Sequence, residues 1–230
     1  MPKTHKALIV VTSHSELGDT GKQTGFYYDE MSVPYWALMD AGYDVEIASI
    51  KGGTPPYDAA SYGKPEDRAA AVQRFIDNPA SMAKMNATMI INSVDPKAYD
   101  VIFLPGGHGT MWDFTDPALA KVIGEAWDNE AVVGAVCHGP AGLINAVRAD
   151  GLPVVHGLRV NSFTDEEERA VDLVGVVPFL TETELRKKGG IFEGTANFEA
   201  FAVRDGRLVT GQNPKSAEKV AALLLEALAE

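Results

Sequence analysis

Four short apolar segments constrain the fold more than any other feature of this sequence. They are continuous in hydrophobic residues and lie at Lys6–Ser13, Tyr43–Ile50, Tyr99–Leu104 and Ala131–Val136. Continuous apolar runs of this length are typical of strands that are buried on both faces. Helical patterns alternate with them, at Asp29–Ala41, Arg68–Asn78, Pro79–Ile91, Pro117–Asn129 and Gly139–Arg148. The alternation predicts an α/β protein, a three-layer α/β/α sandwich with a mostly parallel sheet.

The C-terminal part of the chain predicts a hairpin followed by a closing helix. Asp205-Gly206 lies between two apolar segments and favours a tight two-residue turn. Asn213-Pro214 is a helix start, with the proline at the first helical position. The sequence contains no repeat, low-complexity tract or obvious linker, and we therefore expect one domain over residues 1–230.

Composition and charge limit the classes of partner. The chain of 230 residues has 20 Lys and Arg against 32 Asp and Glu, a formal net charge of −12. Such a surface repels nucleic acids and anionic lipids, and we expect neither as a partner. We find no apolar stretch long enough to span a bilayer and no signal peptide. A single cysteine suits a reducing compartment, and the expected location is the cytoplasm.

That cysteine, Cys137, directly follows the fourth apolar segment and precedes a predicted helix start at Gly139-Pro140. Small residues, Ala135 and Gly139, lie on either side of it, as a sharp strand-to-helix turn carrying a nucleophile requires. A helix start lowers the pKa of a nearby thiol, so we expect the pKa of Cys137 to lie well below that of a free thiol. The alternative is a buried structural cysteine; the turn and the adjacent His138 favour a reactive one.

A second glycine-rich loop, Leu104–Thr110, also follows a buried strand and should lie at the same sheet edge. Gly106 and Gly107 allow backbone N–H groups to approach a substrate oxygen, although such a loop is weak evidence when taken alone. No phosphate-binding or dinucleotide-binding spacing is present. No group of potential ligands has the spacing of a zinc site, and we expect no metal and no organic cofactor.

Four motifs together resemble the ThiJ/PfpI superfamily, relatives of the class I glutamine amidotransferases. They are DVIFLPGGHGT, AVCHGPAGL, SFTDEEE and GRLVTGQNP. The segment GFYYDEMSVPYWALMDAGYDVEIAS is similar to the branch that contains stress chaperones and glutathione-independent glyoxalase III enzymes. The resemblance runs from about residue 6 to the end of the chain. It implies a flavodoxin-like fold with a nucleophile elbow.

The resemblance also implies roles for particular residues. The catalytic set would be Cys137, His138, Glu30 and Glu168, with Glu167 as the neighbour that could instead orient the histidine. The alternative for Glu30 is a first-turn helix residue favoured by the helix dipole, which fits the adjacent aspartate equally well. Binding of an oxyanion or substrate would fall to Gly107, to the backbone of His138 and, as a weaker candidate, to His108. Relatives of this kind imply a homodimer.

The function implied is the conversion of a 2-oxoaldehyde such as methylglyoxal to a 2-hydroxy acid such as lactate, without a redox cofactor. The partner would be a small reactive carbonyl compound, and protein deglycase activity belongs to the same chemistry. Two alternatives remain open at this point. One is a stress-response holdase chaperone that covers apolar surface on unfolding proteins. The other is a cysteine amidase or peptidase that uses the same Cys-His-Glu site.

Overall fold

The computed structural model describes residues 5–230, which form a seven-stranded sheet, a separate two-stranded sheet and nine α-helices. The strands are β1 (Lys6–Val11), β2 (Asp44–Ser49), β3 (Met89–Ile90), β4 (Val101–Leu104), β5 (Val132–Val136), β6 (Arg159–Val160), β7 (Ile191–Phe192), β8 (Ala202–Asp205) and β9 (Leu208–Gly211). The α-helices are α1 (Tyr28–Asp40), α2 (Ala59–Tyr62), α3 (Ala70–Asp77), α4 (Pro79–Asn86), α5 (Thr110–Asp113), α6 (Pro117–Asp128), α7 (Asp165–Ala170), α8 (Thr181–Lys187) and α9 (Ala217–Leu228).

The large sheet has the strand order β3-β2-β1-β4-β5-β9-β8. Every neighbouring pair in it is parallel except β8 and β9, which form an antiparallel hairpin around Asp205-Gly206. Strands β6 and β7 pair in parallel apart from this sheet. The mostly parallel sheet predicted from the apolar segments is therefore confirmed, and so is the C-terminal hairpin.

Two hydrophobic clusters cover the two faces of the sheet. Strand β1 contributes to both, because Leu8 and Val10 face one cluster while Ala7, Ile9 and Val11 face the other. Helix α6 packs on the first face, and helices α1, α3 and α9 pack on the second. All five of these strand residues are fully buried. This two-sided burial is why the strands have continuous apolar sequences, and it confirms the three-layer sandwich.

Two predicted helices differ from the structure. The segment after Cys137 forms only a short 3-10 helix, Gly139–Leu143, and does not continue as a helix to Arg148. Helix α4 ends at Asn86, and Met89 and Ile90 pair with β2 as an edge strand. In both segments tertiary contacts overrode the local helical pattern. None of the helices within residues 5–230 has the length and apolar character needed to cross a membrane.

The sheet order creates a switch point between β1 and β4. From β1 the chain moves to β2 and β3 on one side, and then returns to place β4 and β5 on the other side. The segments after β1, β4 and β5 leave the sheet at the same edge, because these strands are parallel. A crevice at the carboxyl ends of the strands, next to such a switch point, is where ligands bind in open α/β sheets.

Candidate active site

Cys137 lies at this edge, immediately after β5, in a left-handed backbone conformation with φ of 59°. A non-glycine residue in this region carries local strain of about 1–3 kcal/mol, which the surrounding structure must hold. Two hydrogen bonds hold it here: the Cys137 N–H donates to Gly211 O at 2.9 Å, and the Phe163 N–H donates to Cys137 O at 2.8 Å. The predicted sharp turn is present, but the residue is 4% exposed and the sulfur is not on an open surface.

His138 connects the thiol to a carboxylate. Its Nδ1 lies 3.3 Å from Cys137 Sγ, and its Nε2 lies 2.6 Å from Glu168 Oε2. Burial alone would raise the pKa of Glu168, but the imidazoles of His138 and His108 lower it to about 2. Because Glu168 is ionised at neutral pH, His138 donates its Nε2 proton to it, and Nδ1 is left to accept the thiol proton. The structure thus brings together Cys137, His138 and Glu168 as the resemblance implied.

His108 places a second imidazole on the same carboxylate. Its Nε2 lies 2.9 Å from Glu168 Oε1, and its ring centroid is 4.1 Å from that of His138. The His138 side chain is 1% exposed, whereas that of His108 is 18% exposed. Burial, and then the proximity of His108, lower the pKa of His138, so its imidazole is neutral at neutral pH.

Glu30 lies in the first turn of α1 and is fully buried. Its Oε2 accepts a hydrogen bond from the Gly106 N–H at 2.7 Å, while its Oε1 makes no hydrogen bond to nitrogen or oxygen in the described part of the chain. Burial raises the pKa of Glu30 to about 8, although interactions with the Cys137 thiol and the Gly106 N–H act in the opposite direction. Glu30 is therefore a protonated carboxylic acid at neutral pH, next to the thiol.

The pKa of the Cys137 thiol is raised, whereas the sequence predicted a lowered one. Burial raises the pKa of Cys137 well above its ordinary value, and the Glu30 carboxyl raises it further. The expected source of a low pKa was a following α-helix, and only the short 3-10 helix Gly139–Leu143 is present. Sequence reasoning about the helix start left out the desolvation of the sulfur. The Cys137 thiol is therefore protonated at neutral pH, with His138 Nδ1 3.3 Å from its sulfur.

Two backbone N–H groups, those of Gly107 and His138, interact with the sulfur and act to lower its pKa, against the larger effect of burial. They come from the two loops that were predicted to meet. Thr110 joins these loops, because its hydroxyl donates to Gly107 O at 2.9 Å and to His138 O at 3.2 Å. A side chain at Gly106 would lie 2.7 Å from both Glu30 Oε2 and the His138 nitrogen, so this position needs glycine. The arrangement can stabilise an oxyanion beside the sulfur.

Glu167, the alternative to Glu168, has a different environment. It is fully buried, and its Oε1 accepts hydrogen bonds from the Phe198 N–H at 2.8 Å, Asn213 Nδ2 at 2.9 Å and Gln212 Nε2 at 3.1 Å. Its Oε2 accepts from the Thr164 N–H at 2.9 Å and completes a capping box at the start of α7. Glu167 therefore accepts hydrogen bonds from three separate segments of the chain, while Glu168 contacts the histidines.

Two residues near the site were missed as candidates. Tyr27 directly precedes α1. Its pKa is raised to about 12, mainly by burial and then by the charges of nearby groups that include Glu30 and Cys137. It therefore presents a neutral phenol near the thiol. Phe163 packs its ring on His138 with the centroids 4.5 Å apart. Both residues lie within motifs that carry the family resemblance, but an aromatic residue beside a catalytic one has no spacing that distinguishes it from a core residue.

The residues 5–230 contain one group of side chains whose atoms could together hold a metal ion, and it is His108, His138 and Glu168. Their candidate ligand atoms lie within 4.8 Å of one another. These residues come from three separate elements, so a search of the sequence for zinc-ligand spacing does not detect them.

Comparison with known proteins gives the family of this chain. The profile of the DJ-1/PfpI family matches residues 23–227. This chain belongs to the DJ-1/PfpI family. Among curated relatives, Glyoxalase 3 of Candida albicans is 32% identical over 229 residues, covering 94% of this chain and 95% of the relative.

Solved structures extend the comparison to the fold of the DJ-1/PfpI family. The Rapid Encystment Protein 24 kDa of Francisella tularensis aligns with a TM-score of 0.92 and 30% identity over 98% of this chain and 99% of that one. The glyoxalase III of Candida albicans aligns with a TM-score of 0.89 and 29% identity over 98% of both chains. The flavodoxin-like fold of this DJ-1/PfpI protein is therefore shared with proteins that span nearly the same length.

Proposed function

We propose that this protein is a glutathione-independent glyoxalase, which converts a small 2-oxoaldehyde such as methylglyoxal to the corresponding 2-hydroxy acid. The observation that carries the proposal is that two proton carriers, His138 and Glu30, both interact with the sulfur. His138 Nδ1 lies 3.3 Å from Cys137 Sγ and is an acceptor, while Glu30 is a buried, protonated acid next to the thiol. The similarity to Glyoxalase 3 supports the same conclusion.

The reaction begins with addition of the thiol to the aldehyde carbon. His138 takes the thiol proton, and the Glu30 carboxyl gives its own proton to the new oxygen as the hemithioacetal forms, beside the N–H groups of Gly107 and His138. Glu30, now a carboxylate, takes the proton from the former aldehyde carbon while protonated His138 gives its proton to the neighbouring carbonyl oxygen, which yields the enediol. Glu30 then delivers its proton to the neighbouring carbon, and His138 takes back the hydroxyl proton of the first carbon as the thioester forms. The first carbon is oxidised and the second is reduced, so the internal redox change balances without an external oxidant. Water hydrolyses the resulting thioester and regenerates the thiol.

The Glu30 carboxyl also separates this reaction from amide hydrolysis. A cysteine amidase needs a nucleophile, a base, an orienting acid and an oxyanion site, and Cys137, His138, Glu168 and the two N–H groups supply all of these. A second acid beside the sulfur has no role in that mechanism. Proton transfer between adjacent carbons does need one. We therefore favour isomerisation over the cysteine amidase or peptidase reading.

The test is incubation with methylglyoxal in the absence of glutathione, with lactate measured as product. We expect turnover in the parent protein, its loss in Cys137→Ala, and parent-like turnover in His156→Gln, which changes an exposed histidine outside the site. If the parent produces no lactate but suppresses aggregation of an unfolding protein, and Cys137→Ala does so equally, the holdase alternative is correct.

Two further expectations belong to the same proposal. A thiol nucleophile functions only while reduced, so we propose a reducing compartment such as the cytoplasm. The homodimer implied by the family resemblance stays a prediction, and light scattering during size-exclusion chromatography tests it.

A further inference from the structure

The cluster of His108, His138 and Glu168 has a chemical property that the proposed reaction does not use. Both imidazoles direct Nε2 at one carboxylate, each nitrogen at a different oxygen, with distances of 2.9 Å and 2.6 Å. Two imidazole nitrogens and a carboxylate oxygen are a ligand set that Zn²⁺ and neighbouring divalent transition metals accept in proteins.

We propose that these three residues form a binding site for a divalent transition-metal ion of the Zn²⁺ type, and that the bound ion inhibits the enzyme. Neighbouring ligand atoms of a tetrahedral zinc ion lie about 3.3 Å apart, given bonds of about 2.0–2.1 Å. The observed separations of 2.6 Å and 2.9 Å are smaller by less than 1 Å. All candidate ligand atoms lie within 4.8 Å of one another, so the cluster needs only a small widening to hold an ion.

The three ligands differ in their exposure to solvent and in how firmly the surrounding structure holds them. The His108 side chain is 18% exposed and is the ligand that solvent reaches most, while those of His138 and Glu168 are 1% and 4% exposed. Glu168 belongs to α7, whose first turn is fixed by the buried capping box of Thr164 and Glu167. The protein also carries a net charge of −12, which raises the local concentration of cations. Three protein ligands would leave the fourth position for water.

Inhibition follows from the tautomer of His138. In the metal-free site, the Nε2 proton of His138 points at Glu168 and Nδ1 accepts the thiol proton. An ion bound to Nε2 requires the proton of the neutral ring to move to Nδ1, with no proton gained or lost overall. Nδ1 then no longer has a free lone pair for the proton of Cys137. The site loses its base although the cysteine is not itself a ligand.

Binding is measured without substrate, so its outcome does not depend on the proposed function. Co²⁺ is the probe, titrated into the parent protein near neutral pH under reducing, chelator-free conditions. We expect one equivalent to bind and to give visible d–d absorption without a thiolate-to-cobalt charge-transfer band. Cys137→Ala should retain the spectrum, His108→Gln should lose it, and the exposed-site control His156→Gln should retain it. Thermal shifts with Zn²⁺ provide a second readout on the same four proteins.

Three results would overturn the proposal: no stoichiometric binding, binding that persists unchanged in His108→Gln, or a thiolate charge-transfer band that disappears in Cys137→Ala. The last result would place the ion on the cysteine instead. Where the parent turns over methylglyoxal, one equivalent of Zn²⁺ should lower the rate at least about tenfold, and a chelator should restore it. Binding without any loss of rate would leave the site in place and refute its inhibitory role.

Discussion

Glu30 and Cys137 are neighbours in the site, and burial shifts the pKa of both in the same direction. Both are fully or nearly fully buried, and burial raises the pKa of each acid because it disfavours the charged form. At neutral pH the pair therefore holds both protons. His138 is neutral for the same reason, since burial lowers the pKa of a base. In the resting site, Glu30 is therefore a proton donor, His138 is a proton acceptor, and the Cys137 thiol is uncharged.

Replacing Glu30 by Gln should lower turnover of a 2-oxoaldehyde by about 10²–10⁴-fold, the usual contribution of a positioned general acid or base. The amide is nearly isosteric with the acid, so the loss reflects proton transfer. The matched control is Asp29→Asn, which changes the adjacent, half-buried carboxyl of the same helical turn and should leave the rate within about threefold of the parent. Steady-state kinetics measure both. Equal losses in the two variants would contradict a specific role for Glu30.

The pH dependence of kcat/KM should be bell-shaped. On the acid side, activity should fall only below about pH 6.5, the ordinary value for histidine, because the pKa of His138 is lowered. On the alkaline side, activity should decline as pH rises through about 8, where Glu30 loses its proton. In Glu30→Gln the residual activity should lack the decline near pH 8. An acid limb centred above pH 6.5 would show that His138 is not the neutral base described here.

At the scale of elements, α7 places two adjacent acids in different environments. Glu168 points to the histidines, while Glu167 accepts hydrogen bonds from the start of α7, from Phe198 and from the Gln212-Asn213 segment. The start of α7 is fixed through Glu167, and the orientation of Glu168 depends on it. The acidic run thus contains one carboxylate that contacts both histidines and one that fixes the start of the helix.

Glu167→Gln should lower the free energy of unfolding by about 1–3 kcal/mol. The change puts an amide NH2 where backbone and side-chain donors already converge, and it leaves buried donors unpaired. Glu166→Gln is the control, since Glu166 is exposed in the same turn and its replacement should change stability by no more than about 0.5 kcal/mol. Urea denaturation of both variants measures the difference. Equal stabilities would mean that the hydrogen bonds of Glu167 contribute nothing.

For the molecule as a whole, the buried Glu30 carboxyl lowers the free energy of unfolding as the pH rises. The pKa of Glu30 is about 8 in the folded protein and 4.5 is its unperturbed value, so the folded state binds more protons between these pH values. Stability therefore falls as pH rises through that range, by up to about 1.4 kcal/mol per pH unit from this group. The fold holds a group that its own stability does not favour, as is common at active sites.

The variant Glu30→Gln should accordingly be more stable than the parent, and the difference should grow as pH rises from about 5 to about 8. Gln does not titrate, so the stability of the variant lacks this contribution. Chemical denaturation at several pH values, with Asp29→Asn as the second comparison, measures the trend. A difference that is constant over the whole range would contradict the raised pKa of Glu30.

The amino-acid sequence alone was enough to predict the layered architecture and the place of Cys137 directly after a buried strand. Continuous apolar strands imply burial on both faces, and Cys137-His138 are adjacent in the chain, so their relation to β5 is local. The predicted helix over Gly139–Arg148 was wrong, because the contacts of the segment after the elbow, and not its local pattern, decided its backbone.

The three-dimensional structure was needed to show which acids lie next to the thiol and its histidine, and how each group ionises. Glu30, His108 and Glu168 lie far apart in sequence, and their convergence depends on strand order and on the turn that orients α7. The resemblance named these residues and implied a proton shared between Glu30 and the cysteine, but not how far burial shifts the pKa of each group. A pKa depends on the removal of water and on neighbouring charges, which arise from parts of the chain that a local sequence pattern does not relate. The low thiol pKa expected from a helix start was therefore replaced by a protonated thiol beside a protonated acid.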